Sequence, residues 1–472
     1  MKLLKRLCLI LTAAVMFALS APLSAAAVTF VPTNGKDENK NLVPIYLYSP
    51  SVYMVEVETG EPLVDINSEE KLSPGYLTQL MTCAIILDEF NGNEKKLKET
   101  KVSSGSEAYD ELYDTGAPTA DIRPGEEVSY YDILVSMILC SSCEAANITA
   151  LNLADSLFDF TLRMNDKAKE LGMENTNFSS AHGFYITQNY STAKDMARLC
   201  RYLVNTYPLF RKLCSLQSQQ LEATDIHPEG TNLYNDNFLL NTYTDYYYQF
   251  ADGIKSSTQS GSGRCLASIA SYDGNEYLIV TLNAPIEKTP SDVNKGIQDP
   301  DSIYGDDYVY YSVLDHRALY GWAFNSLVLT DFINPNSEIT DVKVEFGAEA
   351  DYVNLKPKKG YSMLWPVDID INQVEKKITV YDNVIAPIEK GDALGKMELI
   401  YNGEVLASID LISTSTVTRS QSASRLKIAS SFYRSSEFRW AMFIIIMIFA
   451  VYSISYFIYL QLKYMKLDNK DE

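Results

Sequence analysis

The chain has 472 residues, which is too long for one ordinary hydrophobic core and predicts two or more domains. Hydrophobic residues make up 46% of it, which excludes a mainly disordered chain. The net charge of -21 argues against nucleic acid as a partner, because binding a phosphate backbone needs clustered Lys and Arg. No Cys/His cluster has zinc spacing and no GxGxxG or Walker-type loop occurs, so neither a metal nor a cofactor is predicted.

The N-terminal residues 1–27 have the pattern of a secretory signal peptide. A basic start is followed by an apolar run over residues 7–19 and by the small residues Ser24–Ala27. A short transmembrane anchor is the alternative, although the apolar run is short for spanning a bilayer. Residues 28–45 are polar and rich in turn residues, and we expect them to be a linker.

The next part of the chain mixes strand and helix patterns. Residues 53–57 and 63–66 predict a hairpin, and a second hairpin is predicted around Asp273–Gly274. Residues 130–139 and 148–157 predict two helices on either side of a Cys/Ser loop. A sheet with segregated helices defines an α+β fold class.

The pattern changes after the second hairpin. Residues 285–311 are rich in Asp, Pro, Gly and Tyr without a clear period, and they predict an exposed acidic insertion. Residues 316–328 predict a helix that completes a body over residues 46–330. Short alternating strands separated by turns then predict a small all-β domain over residues 331–412.

The C-terminal part predicts a membrane anchor. Residues 413–439 are rich in Ser and Arg, and we expect a juxtamembrane segment against anionic headgroups; a plain basic linker is the alternative. Residues 440–460 are uncharged, and a helix of that length spans a hydrocarbon core of about 30 Å; the alternative is a buried core helix. With the signal peptide, this predicts a single-pass protein of the cell membrane, with an extracytoplasmic body and a cytoplasmic tail at residues 461–472.

Four sequence stretches resemble the framework of one enzyme family. They are Glu58–Glu61, Ile122–Glu126, Asn177–Asp195 and Asp252–Lys255. Residues 46–330 resemble the penicillin-binding serine D-Ala-D-Ala carboxypeptidases of low molecular weight, peptidase family S11. The resemblance implies a transpeptidase/β-lactamase-like body with an antiparallel sheet and a helical subdomain. It also implies action on peptidoglycan stem peptides at the outer face of the membrane.

Enzymes of this family use three motifs, SxxK, SxN and KTG. A serine and a lysine three residues apart share one helix face, so the amine can take the hydroxyl proton. The SxN residues extend this network and hold the substrate amide. The KTG strand pairs with the substrate backbone, and its cation attracts the terminal carboxylate.

The first motif is changed at both functional positions. SxxK aligns with Tyr76 to Gln79, so a phenol of ordinary pKa near 10 replaces the hydroxyl. The Gln79 amide cannot act as a base. Ser73 is a candidate replacement nucleophile, but a serine before Pro74 is expected to be a helix N-cap. Tyr76 is expected to be an aromatic plug that fills an empty pocket.

The other two motifs are changed in part. SxN aligns with Ser141-Ser142-Cys143 and loses its asparagine. KTG aligns with Lys255-Ser256-Ser257, which keeps the cation and a hydroxyl but puts a side chain at the glycine position. No residue is therefore assigned as catalytic. We expect Tyr76, Gln79, Ser141, Cys143 and Lys255 to converge on one cleft, with Lys255, Ser256 and Ser141 as the substrate-binding residues.

The Cys140-Ser141-Ser142-Cys143 run has a second interpretation. CxxC before a helix is a redox arrangement, because a helix N-terminus favours the thiolate, although the expected βαβ context is absent. The alternative is two small residues in a loop that has lost its catalytic constraint.

The sequence thus supports three functional hypotheses. The first is a non-catalytic member of the family that binds cell-wall stem peptides or regulates cell-wall enzymes. The second is an active D-Ala-D-Ala carboxypeptidase with an unusual nucleophile. The third is an extracytoplasmic thiol oxidoreductase that uses Cys140 and Cys143.

Overall fold

The computed structural model describes residues 28–184, 187–287 and 309–468. The predicted signal peptide, most of the predicted acidic insertion and the end of the predicted cytoplasmic tail lie outside these ranges. The chain divides into two compact units. The first runs to Val328 and includes Leu364–Asp370, and the second contains Leu329–Met363 and the chain from Ile371 onward.

The first unit combines strands and helices. Its strands are β1 (Thr33–Lys36), β2 (Leu42–Pro44), β3 (Ser51–Glu56), β4 (Pro62–Ile66), β5 (Lys101–Val102), β6 (Val128–Ser129), β7 (Ser218–Gln220), β8 (Asn232–Tyr234), β9 (Ala251–Gln259), β10 (Gly263–Tyr272) and β11 (Asn275–Ala284). Its helices are α1 (Gln79–Glu89), α2 (Glu94–Glu99), α3 (Tyr130–Cys140), α4 (Cys143–Leu153), α5 (Leu157–Glu170), α6 (Ala193–Thr206), α7 (Pro208–Cys214) and α8 (Tyr311–Ser326).

The first unit is built on a five-stranded antiparallel sheet in the order β4-β3-β11-β10-β9. Both predicted hairpins are confirmed, since β3 pairs with β4 and β10 pairs with β11. The second hairpin turns at Asp273 and Gly274, which both have positive φ, as a tight two-residue turn requires. The sheet order leaves β9, which carries Lys255, at one edge.

The helical part of the first unit is organised around α1. Every residue from Gln79 to Leu87 is buried, which is typical of a helix surrounded by other elements on all sides. The predicted helix at residues 148–157 instead begins at Cys143 and ends at Leu153. The earlier start follows from Ser142, whose hydroxyl accepts a hydrogen bond from the N–H of Ala145 and caps the helix.

Residues 28–45 differ from the predicted linker. They contain the β1–β2 hairpin, and Phe30 is buried with its N–H donating to the carbonyl of Leu63 at 2.8 Å. The ring of Phe30 also packs edge-on against Trp365, 5.3 Å between centroids. This segment therefore packs on the first unit through Phe30.

The C-terminal part has an all-β domain and one long apolar helix, as predicted, and a further helix in the segment expected to be juxtamembrane. From Leu327 onward the strands are β12 (Leu327–Ile333), β13 (Thr340–Lys343), β14 (Tyr352–Pro357), β15 (Tyr361–Pro366), β16 (Glu375–Val380), β17 (Ala393–Tyr401) and β18 (Glu404–Ser413). Five of them form an antiparallel sheet in the order β13-β14-β18-β17-β16. The helix predicted at residues 316–328 ends at Ser326, because the chain enters β12 there.

Two helices complete the described chain, α9 (Gln421–Arg434) and α10 (Ser436–Asp468). The segment Ser436–Leu462 of α10 is long and apolar enough to cross a membrane, and it contains the predicted span at residues 440–460. Its side chains are not buried by the rest of the chain.

Helix α8 packs on the sheet through a buried histidine. The ring of His316 lies 2.6 Å from the Ser268 hydroxyl at Nδ1 and 3.0 Å from the Thr281 hydroxyl at Nε2. Burial lowers the pKa of His316 to about 3. The adjacent Asp315 has the opposite behaviour, since burial raises its pKa to about 6.

We therefore expect His316 to make stability depend on pH. Below its unfolded-state pKa of about 6.5, the unfolded chain binds a proton that the folded chain binds only near pH 3. The free energy of unfolding therefore decreases, through His316, as the pH falls from about 6.5 to about 3. His316→Gln should be less stable at pH 7.5, and the gap to the wild type should shrink by about 3 kcal/mol at pH 4.5.

Denaturant unfolding of both proteins at the two pH values measures this gap. The comparison cancels the opposite contribution of Asp315, which both proteins share. Parallel pH profiles would show that His316 is not held neutral in the fold.

Candidate functional site

The residues before α1 form a tight 3-10 turn, Gly75–Thr78, which is hydrogen bonded to the sheet. Gly75 has φ of +56°, and a Cβ there would lie 2.3 Å from the Ser257 hydroxyl oxygen, so only glycine fits. The N–H of Tyr76 donates to the same hydroxyl at 2.8 Å. The expected N-cap at Ser73 is different in the structure: its hydroxyl accepts only a long hydrogen bond from Gly75 N, at 3.4 Å, and Pro74 precedes the turn.

Tyr76 is buried, with 5% of its surface exposed, and its ring lines a pocket. Within the described residues its hydroxyl has no hydrogen-bond partner. Burial, with smaller contributions from Cys143 and Asp236, raises the pKa of the phenol above its ordinary value. The neutral form is therefore favoured, which is the opposite of what a nucleophile requires.

The Gln79 side chain links three segments of the chain by hydrogen bonds. Its Nε2 donates to the carbonyl of Ser141 at 2.9 Å and to the carbonyl of His182 at 3.1 Å. Gln79 is completely buried, and its Nε2 satisfies both carbonyls with a hydrogen bond. Its Oε1 has no partner among the described residues. The amide is therefore used for structure, and it cannot accept a proton as a lysine amine could.

Lys255 and Ser141 connect the sheet to the end of α3. Lys255 Nζ donates to the Ser141 hydroxyl at 2.9 Å and to the carbonyl of Met137. Ser141 has φ of +60° in the left-handed region, which turns the chain from α3 towards α4. Lys255 is only 1% exposed, and burial lowers the pKa of its amine, against the opposing effect of Asp236.

Cys143 occupies the asparagine position of the second motif as the first residue of α4. It is completely buried, with Sγ 3.7 Å from the carbonyl oxygen of Ser141. Cys140 Sγ lies 3.2 Å from the carbonyl oxygen of Ser136, and both cysteines are free thiols. Burial raises the pKa of Cys140 to about 12 and also raises that of Cys143. A redox pair needs the opposite shift, so these thiols do not fit the oxidoreductase hypothesis.

The five predicted positions are therefore brought together. Gln79, Cys143 and Lys255 all contact Ser141, and Tyr76 lines the same pocket as Ser141. Three stretches that are far apart in the sequence supply them, and the fold alone makes them neighbours.

The pocket beside Tyr76 has a volume of about 410 Å³. Ser141, Ser256 and Ser257 line it, whereas Lys255 is not among its lining residues. This differs from the expectation that Lys255 faces the substrate, because its amine is turned to Ser141 and Met137 instead.

Arg264 and Asp236 also line the pocket, and no motif in the sequence pointed to them. The Arg264 guanidinium donates to the Thr258 hydroxyl at 3.2 Å and lies 4.1 Å from the ring centre of Tyr310. Its place follows from the pairing of β10 with β9, where Arg264 is opposite Thr258, and no local sequence pattern indicates that pairing. Asp236 has an accessible side chain, yet its pKa is raised by partial removal of water, against the charge of Lys255.

An antiparallel sheet with a helical subdomain, and a three-motif site between β9, α1 and the α3–α4 turn, define a transpeptidase-like body. The sequence pattern of the peptidase S11 family, D-alanyl-D-alanine carboxypeptidase, matches residues 39–286, which is more than half of the chain. The pattern of the penicillin-binding protein 5 C-terminal domain matches residues 329–419. The chain belongs to the D-alanyl-D-alanine carboxypeptidase family.

Individual relatives agree with this assignment. D-alanyl-D-alanine carboxypeptidase DacF of Bacillus subtilis is 27% identical over 381 residues, which cover 80% of this chain and 89% of that protein. D-alanyl-D-alanine carboxypeptidase DacC of Escherichia coli is 25% identical over 368 residues, 76% of this chain and 82% of that protein.

Solved structures share the fold. D-alanyl-D-alanine carboxypeptidase DacD of Francisella tularensis matches with a TM-score of 0.57 and 21% identity, over 79% of this chain and 95% of that one. Penicillin-binding protein 5 of Haemophilus influenzae matches with a TM-score of 0.53 and 20% identity, over 80% of this chain and all of that one.

The bracing role of Gln79 can be measured. Gln79→Met keeps the size of the side chain but removes the donor for two buried carbonyls. We expect it to lower the free energy of unfolding by about 2 kcal/mol. Gln217→Met is the control, because Gln217 is exposed and its side chain makes no hydrogen bond among the described residues. Equal stabilities of the two variants in denaturant unfolding would exclude a bracing role.

Proposed function

We propose that this protein is a non-catalytic D-Ala-D-Ala carboxypeptidase homologue that acts in cell-wall metabolism by binding stem peptides or regulating cell-wall enzymes. The observation that carries the proposal is the Gln79 amide, held by two backbone carbonyls at the position where the family's base is expected. In this proposal the body is extracytoplasmic and α10 is the membrane anchor, which its length and composition allow.

Acyl transfer needs a nucleophile, a base and donors for the oxyanion. Tyr76 has a raised pKa and no hydrogen-bonded base, since Gln79 bonds elsewhere. In serine acyl-transfer enzymes the N–H of the nucleophile's own residue often supports the oxyanion. Here the N–H of Tyr76 is already bonded to the Ser257 hydroxyl, so that donor is occupied. All three requirements are therefore compromised together.

The pocket retains groups suited to binding. Arg264, which is 3% exposed, lines it together with Ser141 and Ser256. A cation with hydroxyl donors can hold a peptide carboxylate, because charge-assisted hydrogen bonds are stronger than neutral ones. The Tyr76 ring and the Ser257 side chain reduce the space for the peptide, so weak affinity is expected.

The competing hypothesis is a working carboxypeptidase with an unusual nucleophile. Ser73 is only partly buried, but its hydroxyl is bonded to Gly75 N and no base is bonded to it. Ser268 lies beside His316, but both are completely buried in the core and cannot meet a substrate. Neither serine therefore has the geometry of an activated nucleophile.

We expect the full-length protein neither to form a covalent β-lactam adduct nor to release D-Ala from a pentapeptide. The reason is the missing base and the occupied N–H described above. Mass spectrometry after penicillin exposure and an assay for free D-Ala are the measurements. DacF of Bacillus subtilis is the control for both assays, as a relative named for the activity. An adduct on any residue of the body would establish an active site and contradict the proposal.

Tyr76→Ala should strengthen binding of a short D-Ala-D-Ala peptide by about tenfold, because removal of the ring enlarges the pocket. Calorimetric titration of the peptide into both proteins measures the change. Tyr76→Phe should bind like the wild type, since the hydroxyl has no protein partner among the described residues. Tyr113→Ala, at a tyrosine that is 87% exposed, controls for unspecific effects. Weaker binding by Tyr76→Ala would show that the ring contacts the ligand.

A further inference from the structure

A second cleft in the first unit lies beside the short β7–β8 hairpin. Its volume is about 310 Å³, and its lining includes Gln217, Ser218, Tyr234, Asn235, Asn241 and Tyr243. None of the residues that line it, all in the described part of the chain, has a charged side chain.

Two tyrosines on this cleft are highly exposed, Tyr234 at 71% and Tyr243 at 89%. Tyr234 ends β8 and pairs with Ser218 on β7, so the two side chains are cross-strand neighbours. The N–H of Tyr243 donates to Asn241 Oδ1 at 3.0 Å, which fixes the turn that carries the ring. The aromatic rings are therefore presented to solvent on an ordered backbone.

The cleft also has unused polar groups. Among the described residues, the Gln217 amide, the Ser218 hydroxyl and the two tyrosine hydroxyls make no protein hydrogen bond. Asn235 is different, since its Nδ2 donates to the carbonyl of Leu216 at 2.8 Å and holds the cleft wall. Amide and hydroxyl groups can both donate and accept, so they match ligand hydroxyl and acetamido groups.

We propose that this cleft binds a chain of amino sugars that are N-acetylated and therefore uncharged. The C–H face of a sugar ring packs on an aromatic ring, while amides and hydroxyls bond the sugar's polar edge. A charged peptide is a worse match, because the lining offers no group to neutralise it. The exposed tyrosine rings and the uncharged polar lining together favour a glycan over a charged peptide.

The second cleft shares a wall with the Tyr76 pocket. The segment 234–241 contributes Asp236 and Phe238 to that pocket and Tyr234, Asn235 and Asn241 to the cleft. Asn237, between them, is completely buried and accepts a hydrogen bond from Leu239 N at 3.1 Å. A ligand with both sugar and peptide parts can therefore contact both sides of one ordered segment. This joint use rests on the proposed function, whereas sugar binding by itself does not.

The test is calorimetric titration of an N-acetylglucosamine tetramer into the full-length protein. The protein is kept in a detergent without a sugar headgroup, which would otherwise compete. We expect saturable binding, and the double variant Tyr234→Ala/Tyr243→Ala should weaken it at least about tenfold. Gln217→Ala, at an exposed position, should weaken it to a smaller extent. Tyr352→Ala is the matched control, at a tyrosine that is 56% exposed in the second unit, and should bind like the wild type.

No binding by the wild type, or equal binding by the double variant and the control, would overturn the proposal. A thermal unfolding curve of each variant ensures that a loss of binding is not a loss of folding, and Gln217→Ala provides a second arm if the double variant is unstable. The tetramer has no peptide and the D-Ala-D-Ala probe has no sugar. The two proposals can therefore fail separately.

Discussion

The buried amine of Lys255 makes the contacts on which the arrangement of the site depends. A buried polar group is costly unless it is hydrogen bonded, and here Nζ donates to the Ser141 hydroxyl and to the carbonyl of Met137. These bonds attach the edge strand β9 to the C-terminal end of α3. The left-handed conformation of Ser141 then starts the turn into α4, which brings Cys143 to the same point.

The polar groups around Lys255 form hydrogen bonds with one another. The Gln79 amide bonds the carbonyls of Ser141 and His182, and the N–H of Tyr76 bonds the Ser257 hydroxyl. A lysine at position 79 would place a second buried amine near Lys255, and the charged form of that amine would carry a further desolvation cost. A neutral amide satisfies the same carbonyls without that cost. Under the proposed function, groups that the family uses for chemistry have become groups that stabilise the fold.

The segment 234–241 lines both the Tyr76 pocket and the uncharged cleft beside the β7–β8 hairpin. It carries Asp236 at the Tyr76 pocket and Tyr234 at the uncharged cleft. The two sites differ in chemistry, since one has Arg264 and serine hydroxyls and the other has open tyrosine rings and amides. A cell-wall polymer combines charged peptides with uncharged sugars. Under the two proposals, one segment would contact both the peptide part and the sugar part of such a polymer.

The sequence alone was enough to predict the fold class, both sheet hairpins, the all-β domain and the position of the apolar C-terminal helix. These depend on local patterns, namely strand alternation, turn residues such as Asp273–Gly274 and a long uncharged run. It also predicted the altered motif positions, because Tyr76 and Gln79 align with the serine and the lysine of the first motif. The order of residues 28–45 could not be predicted, since it depends on Phe30 meeting Trp365 more than 300 residues later.

Which residues line the pocket depends on contacts between distant parts of the chain. Lys255 was expected to face it, but its amine is buried, while Arg264 and Asp236 line the pocket from β10 and a loop. Hydrogen-bond partners such as Ser257 for Tyr76 N–H lie 181 residues apart and leave no local pattern. Sequence spacing fixes which residues share one helix or strand, whereas the direction of a side chain depends on what the rest of the fold packs against it.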